Sequence, residues 1–180
     1  MAWPADTVYQ QQRPRNFFGT LKPSYGERDR RKPLPANIVF VWLGQAESLD
    51  GPDRLDDFNR AYEQTLEQLT GRTSRLVLIT PVPFGDPLGL GLDVEERNSN
   101  LKQYAAAIRR LGQARKLPVV DLTASLLGQA ATRDGVTLSR RGQWPAAQGI
   151  AAQLGLTASI RVTATCNLFP VAAAALRQTL

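Results

Sequence analysis

The sequence predicts an α/β fold in which helices are layered on an open sheet of parallel strands. Three short apolar runs, at 38–43, 76–79 and 117–122, are separated by longer segments with helical periodicity. Full-length helices between short buried strands are typical of parallel βαβ units, whose crossovers are almost always right-handed. A length of 180 residues suits one domain. No apolar run approaches the ~20 residues that cross a bilayer, so we expect no membrane span.

The first predicted strand is the run 38–43, which is too short for a helix and rich in β-branched residues. We expect it to be buried on both faces, with Trp42 in the core. We expect the helix that follows to be capped at its start by Asp50 or Asp53 and to end at Gly71. Its apolar residues recur at spacings of three and four: Leu55, Phe58, Tyr62, Leu66 and Leu69.

The second predicted strand, 76–79, leads into a loop rich in glycine, proline and acidic residues that extends to about Arg97. A second amphipathic helix follows this loop and closes at Gly112. Its apolar stripe consists of Leu101, Tyr104, Ala105, Ile108 and Leu111.

The third predicted strand is 117–122, and the last clear helix ends at Gly155. The apolar positions of this helix are Ala146, Ala147, Ile150, Ala151 and Leu154. We expect Trp144, just inside the helix, to pack on the sheet.

The fold class predicts where a site would lie. In open α/β sheets, ligands bind in the crevice beyond the carboxyl ends of the strands. Here that rim comprises residues 44–48, the loop 81–97 and the loop 123–141. We expect any functional site of this chain to lie there.

The composition excludes several kinds of chemistry. The chain contains no histidine, which excludes a Ser-His-Asp triad, a Cys-His pair and histidine-containing metal sites. Its single cysteine, Cys166, excludes an internal disulfide and a cysteine-cluster zinc site. We predict no cofactor and no metal centre.

The positive charge is concentrated near the start of the chain. Up to Lys32 there are seven basic and three acidic residues, which give +4 of the total net charge of +6. Such a segment can contact phosphate backbones, but no nucleic-acid motif accompanies it. A solvated surface loop is the favoured interpretation, and we do not expect nucleic acid as a partner.

Three segments of this rim and of the amino-terminal region resemble one family. Residues 44–48 (Gly-Gln-Ala-Glu-Ser) follow a buried strand, as does the Gly-x-Asn-(Asp/Glu) block of the SGNH (GDSL-type) ester hydrolases. Residues 134–139 (Asp-Gly-Val-Thr-Leu-Ser) resemble their final Asp-x-x-His block, and residues 3–7 (Trp-Pro-Ala-Asp-Thr) are similar to their Gly-Asp-Thr block. The likeness extends over roughly residues 2–156 and is nearest to the GDSL-like domains of large bacterial proteins.

The resemblance implies a three-layer α/β/α, flavodoxin-like parallel sheet. In the family the first strand lies in the middle of the sheet, and here the block that it carries has no counterpart. We therefore expect an SGNH hydrolase-like domain at 1–156 that lacks its first strand, and a carboxyl-terminal extension at 157–180. Without that strand, the run 38–43 exposes an apolar edge, so we expect self-association through it.

The resemblance also implies acyl transfer by a serine that a histidine activates and an aspartate orients. The oxyanion hole would combine backbone amides with an asparagine side chain. Carried over position by position, the glycine of the second block falls on Ala5, the asparagine on Ala46 and the histidine on Thr137. Among the expected side chains, only the aspartate, Asp134, is present. We therefore expect this chain alone to be an incomplete or inactive ester hydrolase.

Two alternatives stay open from the sequence. The first alternative is a binding module whose cleft holds an ester or a glycan, with Gln45, Glu47 and Asn98 among the ligand contacts. The second alternative is a carboxylate pair of Glu47 and Asp134 for general acid–base catalysis, although a turn-stabilising role is favoured for each residue.

Overall fold

The computed structural model describes residues 7–9, 37–70 and 75–156. These residues form a parallel sheet of three strands in the order β1 (Val39–Trp42), β2 (Leu76–Ile79) and β3 (Val119–Val120). Phe40 lies beside Val77 across the β1–β2 pair. Within these ranges no helix is both long and apolar enough to span a membrane.

In the described ranges, four α-helices connect and cover the strands. They are α1 (Leu55–Thr70), α2 (Val94–Arg115), α3 (Leu122–Leu126) and α4 (Arg140–Gln153). Two short 3-10 helices, Glu47–Asp50 and Pro52–Arg54, precede α1. Three of the α-helices begin at a side-chain cap, because Asp93, Asp121 and Ser139 each accept a bond from an amide in the first turn.

One face of the sheet packs against α1 and α2. Leu78 of β2 belongs to this core together with the aromatic residues Phe58, Tyr62 and Tyr104, all of which are fully buried. The rings of Phe58 and Tyr104 lie 4.8 Å apart in a tilted arrangement. Val8 is buried in the same core, so residues 7–9 are fixed to the domain.

The opposite face packs against α3 and α4. Val77, Ile79 and Val120 form a second core, completed by Leu122 and Leu126 of α3 and Ala146 of α4. Helices therefore cover both faces of the sheet, and the predicted α/β/α layering is confirmed.

The third strand is shorter than the predicted run 117–122. Asp121 and Leu122 are not part of β3, because the Asp121 side chain accepts from the amide of Ala124 at 3.0 Å and starts α3. The same carboxylate accepts from the Thr80 hydroxyl at 2.9 Å and from Arg109 at 2.7 Å. Asp121 thus ties the carboxyl ends of β2 and β3 to each other and to α2.

The prediction that Trp42 is a core residue is wrong. Trp42 is 39% exposed, and Phe40 and Ile38 on the same side of β1 are 49% and 47% exposed. Their neighbours on β2, Val77 and Ile79, are buried under α3 and α4. The helical layer on this face therefore stops short of β1.

The prediction that Trp144 packs on the sheet is also wrong, since this side chain is 58% exposed. The buried side of α4 carries Gly142, Ala146 and Ala151 instead. Trp144 lies two positions from each of the first two, which places it on a different side of the helix.

Candidate functional site

The rim at the carboxyl end of β1 is a tight turn that begins at Gly44. Gly44 has a φ of +109°, and a Cβ there would lie 3.3 Å from both Phe58 and Ile108. The conformation and the close packing both favour glycine. The turn continues through Gln45 and Ala46 into the 3-10 helix that starts at Glu47.

Glu47 holds this turn together from inside. Its side chain is 2% exposed. One carboxylate oxygen accepts from the Gly44 amide at 2.9 Å, and the other accepts from the Val8 amide at 2.7 Å. Burial raises the pKa of Glu47, and the amide bonds only partly oppose this. Glu47 therefore brings residues 7–9 to the rim and has the turn-stabilising contacts that its sequence position predicted.

Gln45 connects the same turn to two other loops. Its side-chain Nε2 donates to the carbonyl of Val82 at 2.9 Å and to the carbonyl of Val136 at 3.2 Å. Val82 follows β2, and Val136 belongs to the loop that precedes α4. The ends of β1 and β2 and the 134–139 segment therefore meet around one amide group.

The loop after β2 is fixed by a side chain from the start of α2. The Phe84 amide donates to Asn98 Oδ1 at 2.8 Å, and Asn98 Nδ2 donates back to the Phe84 carbonyl at 3.0 Å. Both polar atoms of the Asn98 side-chain amide are therefore hydrogen-bonded to the backbone of Phe84.

Two glycines allow this loop to approach the 134–139 segment. The Gly85 amide donates to the Gly135 carbonyl at 3.1 Å. A Cβ at Gly135 would lie 2.6 Å from the Gly85 carbonyl oxygen, so no side chain fits there. This contact is not predictable from the sequence, although a glycine directly after an aspartate is a turn signal.

Asp134 forms a local turn at the exposed edge of the rim. Its Oδ1 accepts from the Thr137 amide at 2.6 Å and from the Val136 amide at 3.0 Å. These bonds lower the pKa of Asp134 to about 2. The Thr137 hydroxyl bonds to the same carboxyl group, and Arg133 Nε lies 3.4 Å from it. Asp134 and Thr137 are thus direct neighbours.

Most of the predicted site residues therefore converge on one rim. Gln45, Ala46 and Glu47 share one turn, and Gln45 links it to the loop that carries Asp134 and Thr137. Ala5 lies outside the described residues. Gln45, Glu47 and Asn98 use their polar groups to hold the rim, and Ala46 contributes an exposed methyl group.

The serines of the rim have local partners. Ser48 donates to the Gln45 carbonyl at 2.8 Å, and Ser125 donates to the Asp121 carbonyl at 2.7 Å. Ser139 caps α4 by accepting from the Gly142 amide at 3.0 Å. None of these three hydroxyls is hydrogen-bonded to a carboxylate.

A match to a family model shows to which protein family the chain belongs. The model of the GDSL-like lipase/acylhydrolase family matches residues 2–150, which is most of the chain. This chain belongs to the GDSL-like lipase/acylhydrolase family. No curated protein matches it significantly.

Solved structures of esterases have the same fold as this GDSL-like chain. Axe2, an acetylxylan esterase from Geobacillus stearothermophilus, has a TM-score of 0.51 at 17% identity, over 67% of this chain and 60% of that one. The lipase/acylhydrolase from Enterococcus faecalis has a TM-score of 0.51 at 19% identity, over 69% and 63%. The aryl esterase of M. smegmatis has a TM-score of 0.51 at 15% identity, over 71% and 63%. The GDSL-like chain thus matches less than two thirds of the length of each of these structures.

Proposed function

We propose that this chain is a GDSL-like domain that keeps the rim of an ester hydrolase but does not complete acyl transfer by itself. The observation that carries this proposal is the environment of Asp134. The residue three positions after it, at the place of the family histidine, is Thr137, and the whole sequence contains no histidine. The rim therefore carries Thr137 at the position of the family's general base, and a threonine hydroxyl cannot act as that base.

Neither Asp134 nor Glu47 replaces that base. A general base works best when its pKa lies near the working pH, whereas the pKa of Asp134 is about 2. Glu47 has a raised pKa, but it is buried and both its oxygens accept backbone amides. A substrate cannot reach Glu47 without displacing Val8 or Gly44.

The loss of rate expected from the missing catalytic groups supports an inactive rather than a weakened enzyme. Removing a catalytic serine or histidine costs on the order of 10⁶ in rate. An oxyanion donor, here replaced by Ala46, contributes ~10²–10³. Losses of this size are not additive, but together they remove nearly all of the rate enhancement of an ester hydrolase.

Hydrolysis of p-nitrophenyl acetate tests the proposal. We expect the chain, Asp134→Ala and Thr137→Ala to give the same rate as buffer containing an unrelated folded protein. Saturable hydrolysis by the wild-type chain that falls at least tenfold in Asp134→Ala would overturn the proposal, because it would show Asp134 in a working site.

A second candidate function is ester or glycan binding without turnover. Leu88, Leu90 and Val136 are 62%, 67% and 44% exposed on the two loops that Gly85 and Gly135 bring together. Ligand sites combine apolar side chains with a few polar groups, and an acyl ester on a polar carrier presents both kinds of surface to such a site.

Amide NMR spectra with acetylated xylo-oligosaccharide test this second function. This probe is chosen because an acetylxylan esterase shares the fold. We expect saturable shifts at Val136 and Thr137, and none with the deacetylated oligosaccharide. Equal shifts with both would argue for glycan rather than ester recognition, and no shift with either would contradict binding of this class.

A further inference from the structure

Helix α4 begins with two exposed arginines, Arg140 and Arg141. Within the part of the chain that the structure describes, neither guanidinium group forms an ion pair with a carboxylate. Residues 135–156 contain no acidic residue, so these two arginines are the only charged side chains of this stretch. Their positive charges are therefore not neutralised by α4 itself.

An exposed indole lies beside these arginines. Trp144 is 58% exposed and follows Arg140 by four positions and Arg141 by three, so the three side chains share one side of α4. Long side chains of a helix lean over the preceding turn, which here is the turn that carries both arginines. Gln148, four positions beyond Trp144, is exposed on the same side. We call these four side chains the α4 face.

The packing of α4 holds this face in place. A Cβ at Gly142 would lie 1.9 Å from the Ala131 carbonyl oxygen, and Ala146 is buried in the second core. Because the buried side of α4 is in such close contact with the domain, the helix cannot rotate or shift without a clash. The α4 face is thus pre-organised, which lowers the cost of ordering side chains when a ligand binds.

The groups of the α4 face suit a sugar chain that carries carboxylates. A guanidinium group binds a carboxylate through two parallel hydrogen bonds. The flat apolar ring of a tryptophan packs well against the C–H face of a sugar ring. The side-chain amide of Gln148 can donate to one hydroxyl and accept from another.

We propose that the α4 face binds an acidic oligosaccharide, with Trp144 against a sugar ring and with Arg140 and Arg141 on the carboxylates of uronic acid units. This binding goes beyond the proposed function, because none of the hydrogen bonds that hold the rim takes part in it. The proposals for the rim and for the α4 face can therefore fail independently.

Other anionic partners match this face less well. Single-stranded nucleic acid binds surfaces on which several aromatic side chains stack successive bases, whereas the α4 face has one aromatic side chain. A helix that lies on a lipid surface needs a broad apolar side, and Trp144 is the only large apolar side chain of this face.

Calorimetric titration with a galacturonic acid hexamer tests the proposal, with neutral xylohexaose for comparison. We expect saturable binding of the acidic hexamer that weakens as NaCl is raised from about 20 to about 300 mM. The neutral hexamer should bind at least about tenfold more weakly, because it offers no carboxylate to the arginines.

Variants of the two arginines test the charged contacts. Arg140→Gln/Arg141→Gln should weaken binding of the acidic hexamer about tenfold or more. The matched control, Lys102→Gln/Arg110→Gln, removes two positive charges from exposed positions of α2 and should bind like the wild type. Equal losses in the two double variants would overturn the proposal, because they would show attraction by net charge alone.

Variants of Trp144 test the stacking contact. Trp144→Leu keeps apolar bulk without a flat ring and should weaken binding about tenfold, whereas Trp144→Phe should keep most of it. Circular dichroism checks that each variant is folded, and Trp144→Ala replaces Trp144→Leu if the latter is not. No binding of the acidic hexamer by the wild-type chain, equal binding of the neutral hexamer, or tighter binding of an oligothymidylate of the same length would overturn the proposal.

Discussion

The backbone amide of Val8 donates a hydrogen bond of 2.7 Å to the carboxylate of Glu47, which joins segments 39 positions apart. The second oxygen of this carboxylate holds Gly44 at the end of β1. One buried side chain thus fixes both the turn after β1 and the short segment 7–9 beside it.

Replacement of Glu47 should destabilise the domain. In Glu47→Ala, the amides of Val8 and Gly44 lose their acceptor, and each buried unpaired amide costs ~1–3 kcal/mol. Removal of a buried carboxylate with a raised pKa offsets part of this cost. We expect the free energy of unfolding in urea to fall by about 2 kcal/mol. Glu63→Ala, an exposed position on α1, should change it by less than ~0.5 kcal/mol. Equal effects in the two variants would contradict the role of Glu47.

Replacement of Gln45 should loosen the contact between the rim loops. Gln45→Ala removes the bonds to the Val82 and Val136 carbonyls, which contribute about 1–2 kcal/mol together. We expect faster amide hydrogen exchange at residues 133–138, with exchange in β2 changed much less. Gln103→Ala on the exposed side of α2 should leave both unchanged. Unaltered exchange in Gln45→Ala would show that other contacts hold the loop.

Two glycines of α4 should respond oppositely to alanine. A Cβ at Gly142 would lie 1.9 Å from the Ala131 carbonyl oxygen, so α4 cannot dock without moving. Gly142→Ala should cost about 3 kcal/mol of stability, the upper end of the usual range for overpacking. At Gly149 the nearest atom would be 3.5 Å away, an ordinary contact, and alanine favours the helix by ~1 kcal/mol. Thermal unfolding should show a lower Tm only for Gly142→Ala, and a lower Tm for both variants would refute the assigned packing.

The sequence predicts the strands and helices of this fold better than it predicts the side-chain contacts of the rim. The apolar runs and helical stripes located β1, β2, α1 and α2, and the shared edge of parallel strands predicted that residues 44–48 and 134–139 would meet. The length of β3 was not predictable from apolarity, since Asp121 starts α3 through a hydrogen bond that apolar patterns do not encode. The exposure of Trp42 depends on where the helical layer ends, which is a tertiary property.

The low pKa of Asp134 predicts a pH-dependent contribution to stability. The pKa is lowered from 3.8 to about 2, so the contribution is present above 3.8 and disappears as the pH falls through about 2. The urea midpoint of Asp134→Asn should therefore lie below that of the wild type at pH 7, and the difference should shrink towards pH 2. A difference that is independent of pH would argue against an ionised Asp134 as the acceptor in this turn.

The central claim is that this GDSL-like rim is assembled without a serine activated for acyl transfer. A fluorophosphonate probe reacts with activated serines, and intact-mass spectrometry of the folded chain after incubation measures the adduct directly. We expect no adduct at Ser48, Ser125 or Ser139, whose hydroxyls have local partners. A stoichiometric adduct on one of these serines that is lost in Asp134→Asn would contradict it.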